Sequence, residues 1–555
     1  MCFVYALQEE EPAVATSAYS SSPSRTCQNE NNNYRSNCGQ TAAEMSDAKT
    51  PLQTFYAGQT VFLTGGTGFL GKVLVEKLLR SCPDVKRIYI LVREKREVSV
   101  KDRMAKYFDD AVFDRLKKEI PLAKFQHKLA AVAGDCCYDG LGLSTSDREL
   151  LKREVSIVFH VAATVKFDEK LKLAAAINTQ STADMLELCK EMNNLKSFMY
   201  VSTAYSNCIS HDINERFYEN PLGADAVLAI AQNMPEELLD VISPKLIAPW
   251  PNTYTFTKAL SEDLLRRKNQ RLPMGIFRPG IVISTAKEPM PGWIDNYYGP
   301  TGIAAGVASG LLRTMHCDPA ANANIVPVDF TVNALLAAAW DVAMQNDRRD
   351  DEMLIYNFIS TNDAPITWKD FRRTNLKFAN DYPLSKAIWY QSFSMNPNRL
   401  WHNVSKVLFH WVPAYMYDGL ALLTGQEPKM RAMYEKVHKM SEVVSYFSTR
   451  EWNFANDNVH AMWKRLDEAD RELFGFDMKN FDWRTYFSTY IKGIRVYLLK
   501  DGLETLPACK RKMMIYFNHE KKELFAWPFL CKLNDTYTTI YQMYSIRFQK
   551  LISQK

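Results

Sequence analysis

Residues 60–78 change structural period within one turn: Thr60-Val-Phe-Leu-Thr64, then Gly65-Gly-Thr-Gly-Phe-Leu-Gly71, then Val73, Leu74 and Leu78. The first run has the length and apolar character of a buried strand, and the residues after the glycines recur at helical spacing. A glycine-rich turn between strand and helix has a specific use. Gly65 permits the tight turn, Gly68 lets the backbone approach a pyrophosphate, and Gly71 lets helix and strand pack closely. Thr67, Phe69 and Leu70 belong to the same loop, and the free N–H groups of the helix start face the phosphate charge.

The alternation continues outward. A second buried strand is expected at 87–92, a charged helix at 99–118, and further apolar runs at 128–133, 155–160 and 198–202 with helical patterns between them. Strands without polar alternation, separated by helices, imply a doubly wound parallel sheet of Rossmann type covered on both faces. After about residue 345 the alternation stops, and one strand candidate at 353–359 precedes a mostly helical C-terminal domain rich in aromatics. The expected division is a disordered tail over 1–50, a large dinucleotide-binding α/β domain over 55–345, a helical domain over 346–500 and a basic aromatic tail over 501–555. Ser20-Ser-Ser22 and Asn31-Asn-Asn33 mark the first tail, and Met45 stands as an alternative start at its end.

Composition narrows the function classes. The 555 residues are 47% hydrophobic and 24% charged, enough for large cores without staples. A net charge of +5 over this length gives no nucleic-acid signature. Eleven scattered cysteines show no metal-ligand spacing, so no metal site is expected, and a reducing, cytosol-facing environment fits them. No run reaches the roughly 18 to 20 apolar residues of a membrane span.

Strand ends supply the other cofactor walls. Arg93, with Lys95 and Arg96 behind it, follows the second strand where a basic residue would bind the 2′-phosphate of NADP; Glu94 is the contrary sign. Asp135 follows the third run, placed to accept from an adenine amino group. Ala162 follows the fourth, small enough for backbone to reach a cofactor. Tyr254 and Lys258 lie four apart and so share a helix face, where an ammonium beside a phenol brings its pKa toward working pH. Ser202 and Thr203 end the fifth strand, either able to polarise a carbonyl. Asn178 opens a helix and is placed to hold a carbonyl or water near Lys258. Cys136, Cys137 and His160 read as packing or wall residues, and no cysteine has a nucleophile's setting.

These residues resemble the fatty acyl-CoA reductases, extended short-chain dehydrogenase/reductases whose GxxGxxG spacing appears at 65–71. The resemblance rests on long stretches: 64–71, 159–169, 200–207, Tyr254-Thr-Phe-Thr-Lys-Ala-Leu-Ser-Glu262, 278–285, 291–296, 298–302 and 325–330. It implies NADPH-dependent reduction of a long-chain fatty acyl-CoA to the alcohol through a bound aldehyde, with CoA released. Carried over, Tyr254 donates the proton, Lys258 is its partner and a ribose ligand, and Thr203, or else Ser202, polarises the carbonyl. Lys166 in place of Asn, Arg278-Pro-Gly280 in place of Arg-Pro-Ser, and the missing glycine after Asn178 depart from the family's pattern. Another extended reductase, or a non-catalytic NADP-binding sensor, would share the glycine loop. The family often ends in a hydrophobic anchor; here residues 506–555 hold nine Lys/Arg against three acids among aromatics, a mix that suits either an anionic membrane surface or packing on the helical domain. The expected location is the cytosolic side of the endoplasmic reticulum membrane, with the peroxisome as the alternative. Chain length of the substrate and oligomeric state are not legible.

Overall fold

The computed structural model describes residues 49–95, 98–269, 272–345 and 353–523. Residues 1–48 of the tail placed at 1–50 and most of the basic aromatic tail therefore lie outside the described residues, as does Arg96. The fold is built on a seven-stranded, all-parallel sheet. Its strands are β1 (Thr60–Thr64), β2 (Arg87–Val92), β3 (Leu129–Ala133), β4 (Ile157–His160), β5 (Ser197–Val201), β6 (Met274–Pro279) and β7 (Leu354–Phe358). The spatial order is β7-β6-β5-β4-β1-β2-β3, so the sequence runs outward from β1 in one direction and then the other. Strand order reverses between β1 and β4, where Val61 is in register with Ile88 on one side and Ile157 on the other. In open α/β sheets that reversal opens a crevice at the carboxyl ends of the strands.

The sheet is doubly covered, which explains its unbroken apolar strands: every residue of β1, β4, β5, β6 and β7 is buried. One face packs against α1 (Phe69–Ser81) and the other against a long helix, α2, over residues 171–190, and α3 (Thr253–Lys268). A further helix, α4 (Val328–Met344), is buried nearly throughout and joins α1 on its face.

Three boundaries differ from the sequence reading. β7 hydrogen-bonds along β6, so the sheet extends past residue 345 and the helical remainder begins after it. That remainder shares the sheet's core: Val459, Met462 and Phe474 pack in one cluster with β1, α1 and α4. The charged stretch 99–118 is broken into the short helices Val100–Ala105 and Asp114–Glu119, with tighter turns between them. Tyr107, Val112 and Phe113 are buried there, and turning these three side chains inward defeats one straight amphipathic helix. At the start of the described chain, Pro51–Tyr56 forms a capped helix whose Leu52 amide donates to Asp470 and whose Tyr56 hydroxyl donates to the Leu336 carbonyl.

The C-terminal part contributes three helices used below. They are α5, unbroken over residues 399–423, α6 (Met430–Ser448) and α7 (Leu506–Glu523). Two-residue and three-residue parallel pairings tie this part to the sheet domain, Asn453–Phe454 beside Asp212–Ile213 and Ser394–Asn396 beside Thr314–His316.

Candidate active site

The glycine loop joins β1 to α1 at the reversal of strand order. Gly65 has φ +76°, a left-handed conformation that favours glycine, and a side-chain carbon there would sit 2.9 Å from the Ala162 nitrogen. Gly71 is the tightest point of the loop: a carbon added to it would lie 2.2 Å from the Gly65 carbonyl oxygen. Gly68 is the cap residue of α1 and is exposed, so the helix start presents its amides outward. Thr64 fixes the adjoining backbone by accepting from the Val161 and Ala162 amides, both at 3.2 Å, and bonds His160 Nδ1 at 2.8 Å. His160 also reaches Ser181 through Nε2. Burial, then the nearby Lys258 charge, hold its imidazole down at about 3, so it is neutral and acts as a wall residue.

Arg93, exposed, and Asp135 stand side by side at the ends of β2 and β3, 3.8 Å apart. Asp135 Oδ1 accepts from the Cys137 amide. A second guanidinium, Arg103, donates to the Arg93 carbonyl at 2.5 Å and to Thr67 Oγ1 at 3.1 Å. Burial and the neighbouring Arg93 charge lower its pKa. Two cations beside the glycine loop, with one carboxylate between strand ends, fit a phosphate monoester next to a ribose better than a bare diol. Arg103 escaped the sequence reading because its place depends on how the 99–118 stretch breaks, which no spacing encodes. Phe69 stacks on Trp293 at 5.4 Å; Trp293 in turn donates to Asp110, and Lys72 bridges Asp110 and Asp295. The 284–299 segment is thereby strapped across the start of α1. Leu70 follows in the first turn, half-buried against the same core.

Tyr254 and Lys258 lie in the first half of α3, which Asn252 caps by accepting from the Thr255 amide. Lys258 is buried, donates to the Val201 carbonyl at 2.7 Å and lies over the Tyr200 ring at 4.7 Å. Burial lowers its ammonium to about 7, although Glu262 and Cys136 pull the other way. The half-buried Tyr254 stacks on Phe167 at 5.7 Å. Burial pushes its phenol up to about 12, and a hydrogen bond from Thr203 moderates the rise. The phenol thus keeps its proton at working pH; Lys258, turned to a carbonyl, does not draw it down as expected from the spacing.

Ser202 and Thr203 have opposite surroundings. Ser202 Oγ donates to Glu262 at 2.5 Å, and Glu262 is held by Arg278 through bonds of 3.0 and 2.6 Å in a fully buried pair. Thr203 faces Tyr254 and accepts only a 3.3 Å contact from the Tyr205 amide. Asn178 does not open a helix. It sits in α2 inside a widened turn, Ala175–Gln180, whose loosened carbonyls need partners: the Asn178 carbonyl accepts from Thr182 and Ser261. Its side chain clamps Thr164, accepting from the amide at 2.9 Å and donating to the carbonyl at 3.2 Å, and also donates to Thr257. Asn178 therefore ties the 161–170 segment to α3. Cys136 is buried and its thiol pushed up to about 12, so it is not a ready nucleophile.

Glycine cradle, twin arginines, Thr203, Tyr254 and Lys258 all gather at the carboxyl edge of one parallel sheet. Phe167 and Phe447, 5.4 Å apart, link that edge to α6. Among the described residues no cluster suited to a metal ion is present.

Known proteins resemble this chain in sequence and in fold. The NAD-binding profile of the male sterility proteins matches residues 63–335, and a second male sterility protein profile matches 409–501. The protein named fatty acyl-CoA reductase wat, from Drosophila melanogaster, is 42% identical over 83% of this chain and 89% of its own length. Fatty acyl-CoA reductase 1 of Homo sapiens is 35% identical over 83% of the chain and 89% of its own, and fatty acyl-CoA reductase 2 of Homo sapiens is 33% identical over 86% and 93%. In fold, the chain is similar to a reductase domain of a nonribosomal peptide synthetase from Mycobacterium tuberculosis, with a TM-score of 0.53 and 20% identity over 79% of this chain and 92% of that one.

Proposed function

The chain belongs to the fatty acyl-CoA reductases, and from that premise we propose how its residues divide the work. It is an NADPH-dependent enzyme that reduces a fatty acyl-CoA to the fatty alcohol. The observation that carries the division of roles is the meeting of Thr203, Tyr254 and Lys258 beside a cradle that tolerates only glycine at positions 65 and 71.

The residues fit the cofactor. Gly65, Gly68 and Gly71 with the α1 amides would take the pyrophosphate, Arg93 and Arg103 the 2′-phosphate, Asp135 the adenine side, and the backbone at Ala162 would form the inner wall. When bound, NADPH supplies the hydride for each of the two reductions. Thr203 holds the carbonyl oxygen. Tyr254, a phenol kept protonated by burial, gives that oxygen its proton as the carbonyl carbon is reduced. Lys258 holds the Val201 carbonyl and would hold a ribose hydroxyl of the bound cofactor, and its depressed pKa lets it take part in returning a proton to Tyr254 near neutral pH. In the first reduction the carbon–sulfur bond breaks and CoA leaves as the thiol. In the second, the bound aldehyde becomes the alcohol. Each thioester thus consumes two hydrides and two protons. Ser202 stays with Glu262 and Arg278 and positions the strand end; Asn178 positions the segment facing Tyr254.

The substrate we assign is a long-chain acyl-CoA, and the site of action is the cytosolic side of the endoplasmic reticulum membrane, with the peroxisome as alternative. The seven cysteines among the described residues are all free thiols, which supports a reducing compartment. Purified protein incubated with NADPH and palmitoyl-CoA or longer acyl-CoAs should give fatty alcohol by mass spectrometry. Tyr254→Phe should abolish the product with cofactor affinity nearly intact; no alcohol at any chain length from protein that binds NADPH would refute the assignment.

A further inference from the structure

Helix α5 is inside out. Its inner face carries His402, His410, Ala414, Asp418 and Ala421, all buried. Its outer face carries Leu400, Val404, Val407, Met416, Leu420 and Leu423, all exposed, with Met416 at 72% and Leu423 at 86%. Polar groups turned to the protein and aliphatic groups turned outward reverse the pattern of a helix that meets water.

The reversal is built, because two features hold it. At about 100° per residue the eight steps from His402 to His410 would leave them about 80° apart on a regular helix. The turn Val407–Trp411 is wider, with the Val412 amide reaching back to the Val407 carbonyl, and this extra residue brings both stripes back into line along the whole length. The inner polar groups also face the protein, where His402 stacks on His316 with ring centroids 6.0 Å apart. His410 accepts from the Arg313 amide at 3.0 Å and bonds His438 at 2.8 Å, while Asp418 accepts from the Met430 and Arg431 amides at the start of α6. The inner face is thus committed to α6 and the strand Thr314–His316 region, and the aliphatic face is left to an outside partner.

We propose that the outer face of α5 docks on an anionic lipid bilayer, the helix lying in the plane of the headgroup boundary. No helix among the described residues is long and apolar enough to cross a membrane, and α5 carries only Arg399, Lys406 and the buried Asp418 as charged residues, so it lies on the surface. Charge complementarity favours lipid over a second copy of the chain. Helix α7 packs through Met513 on Leu384 and Ala387, next to the exposed Ile388 and Trp389, and exposes Lys510 and Arg511 beside Met514 and Ile515. From there the chain runs on for a further 32 residues, 524–555, which include Lys532, Arg547, Lys550 and Lys555 against a single acid after Glu523, Asp535. Docking stands apart from the acyl-CoA assignment; only its use rests on it. Helix α6, joined to α5 through Asp418 and His438, touches the 161–170 segment at the catalytic edge by the Lys439–Asp168 bridge of 2.8 Å and the Phe447–Phe167 contact. A bilayer-held acyl chain would then reach the site along the α5–α6 pair.

The test is flotation of the full-length protein with vesicles of phosphatidylcholine and phosphatidylserine in equal parts, and with phosphatidylcholine alone. Wild type should float, more strongly with phosphatidylserine. M416E/L420E/L423E should lose membrane partitioning by on the order of 1000-fold, since each of the three buried aliphatics contributes about tenfold. M416L/L420M/L423M should float as wild type does, and both variants should bind NADPH with unchanged affinity, which separates loss of docking from loss of folding. If the glutamate variant floats as well as wild type, or wild type does not float, the proposal is overturned. It is equally overturned if wild type is a dimer that the glutamate variant splits while neither floats, for then the face belongs to a second copy.

Discussion

Replacing Lys258 by methionine should make the protein more stable and catalytically dead. The folded-state pKa of about 7 lies below the ordinary 10.5, so the folded chain binds fewer protons than the unfolded chain and stability rises with pH. The penalty is fully present below about pH 7, shrinks between pH 7 and 10.5, and is absent above. At about 1.36 kcal/mol per unit, the separation amounts to about 5 kcal/mol at its full size. Methionine keeps the length of the stem, carries no charge to bury, and forfeits the hydrogen bond to the Val201 carbonyl, about 1 kcal/mol. The net gain near neutral pH is therefore roughly 3 kcal/mol. Urea unfolding of wild type and Lys258→Met across a pH series is the assay. The stability difference should widen as pH falls from 9.5 toward 7, by about 1.4 kcal/mol per unit, and then level off. A variant less stable than wild type throughout, or a difference independent of pH, would refute the claim that burial of this ammonium is held against stability for the sake of the site.

Gly71→Ala places a carbon 2.2 Å from the Gly65 carbonyl, so α1 must withdraw; NADPH binding measured by fluorescence should be lost, with about 1–3 kcal/mol of stability. Ser202→Ala and Thr203→Ala should separate. The first removes a donor to the buried Glu262 and costs about 1.5–3 kcal/mol in thermal unfolding with much of kcat retained. The second leaves stability close to wild type and lowers kcat by about 10²- to 10³-fold, as loss of a transition-state donor does. Arg103→Ala should raise the KM for NADPH by about 10- to 100-fold while leaving that for NADH nearly unchanged; equal effects on both would remove the 2′-phosphate role.

The sheet was legible because its strands are covered on both faces and so read as unbroken apolar runs, and the 60–71 stretch betrays the strand, turn and helix together. Positions bound by backbone geometry, such as Gly65 and Gly71, could be read from residue type alone. What depends on the direction of a side chain could not. Ser202 and Thr203 are neighbours in sequence, and only the strand's alternation, with Glu262 on one side and Tyr254 on the other, distinguishes them. The four-residue spacing brought Tyr254 and Lys258 to one region, yet it could not reveal that the ammonium turns to the Val201 carbonyl. Asn178 looked like a helix start because a widened turn carries no sequence signature, and the same is true of the turn in α5. The strand β7 was seen, but its place as the edge of the main sheet follows from long-range pairing with β6, which no local pattern records.

The central claim is that one site performs both reductions on a fatty acyl-CoA. Purified protein should be given palmitoyl-CoA and NADPH deuterated at the transferred position, and the lipid product weighed by mass spectrometry. The account predicts hexadecanol carrying two deuterium atoms on its first carbon, with one CoA thiol released for each two NADPH oxidised. Free aldehyde carrying a single deuterium as the end product, or thiol release without label in the lipid, would contradict it.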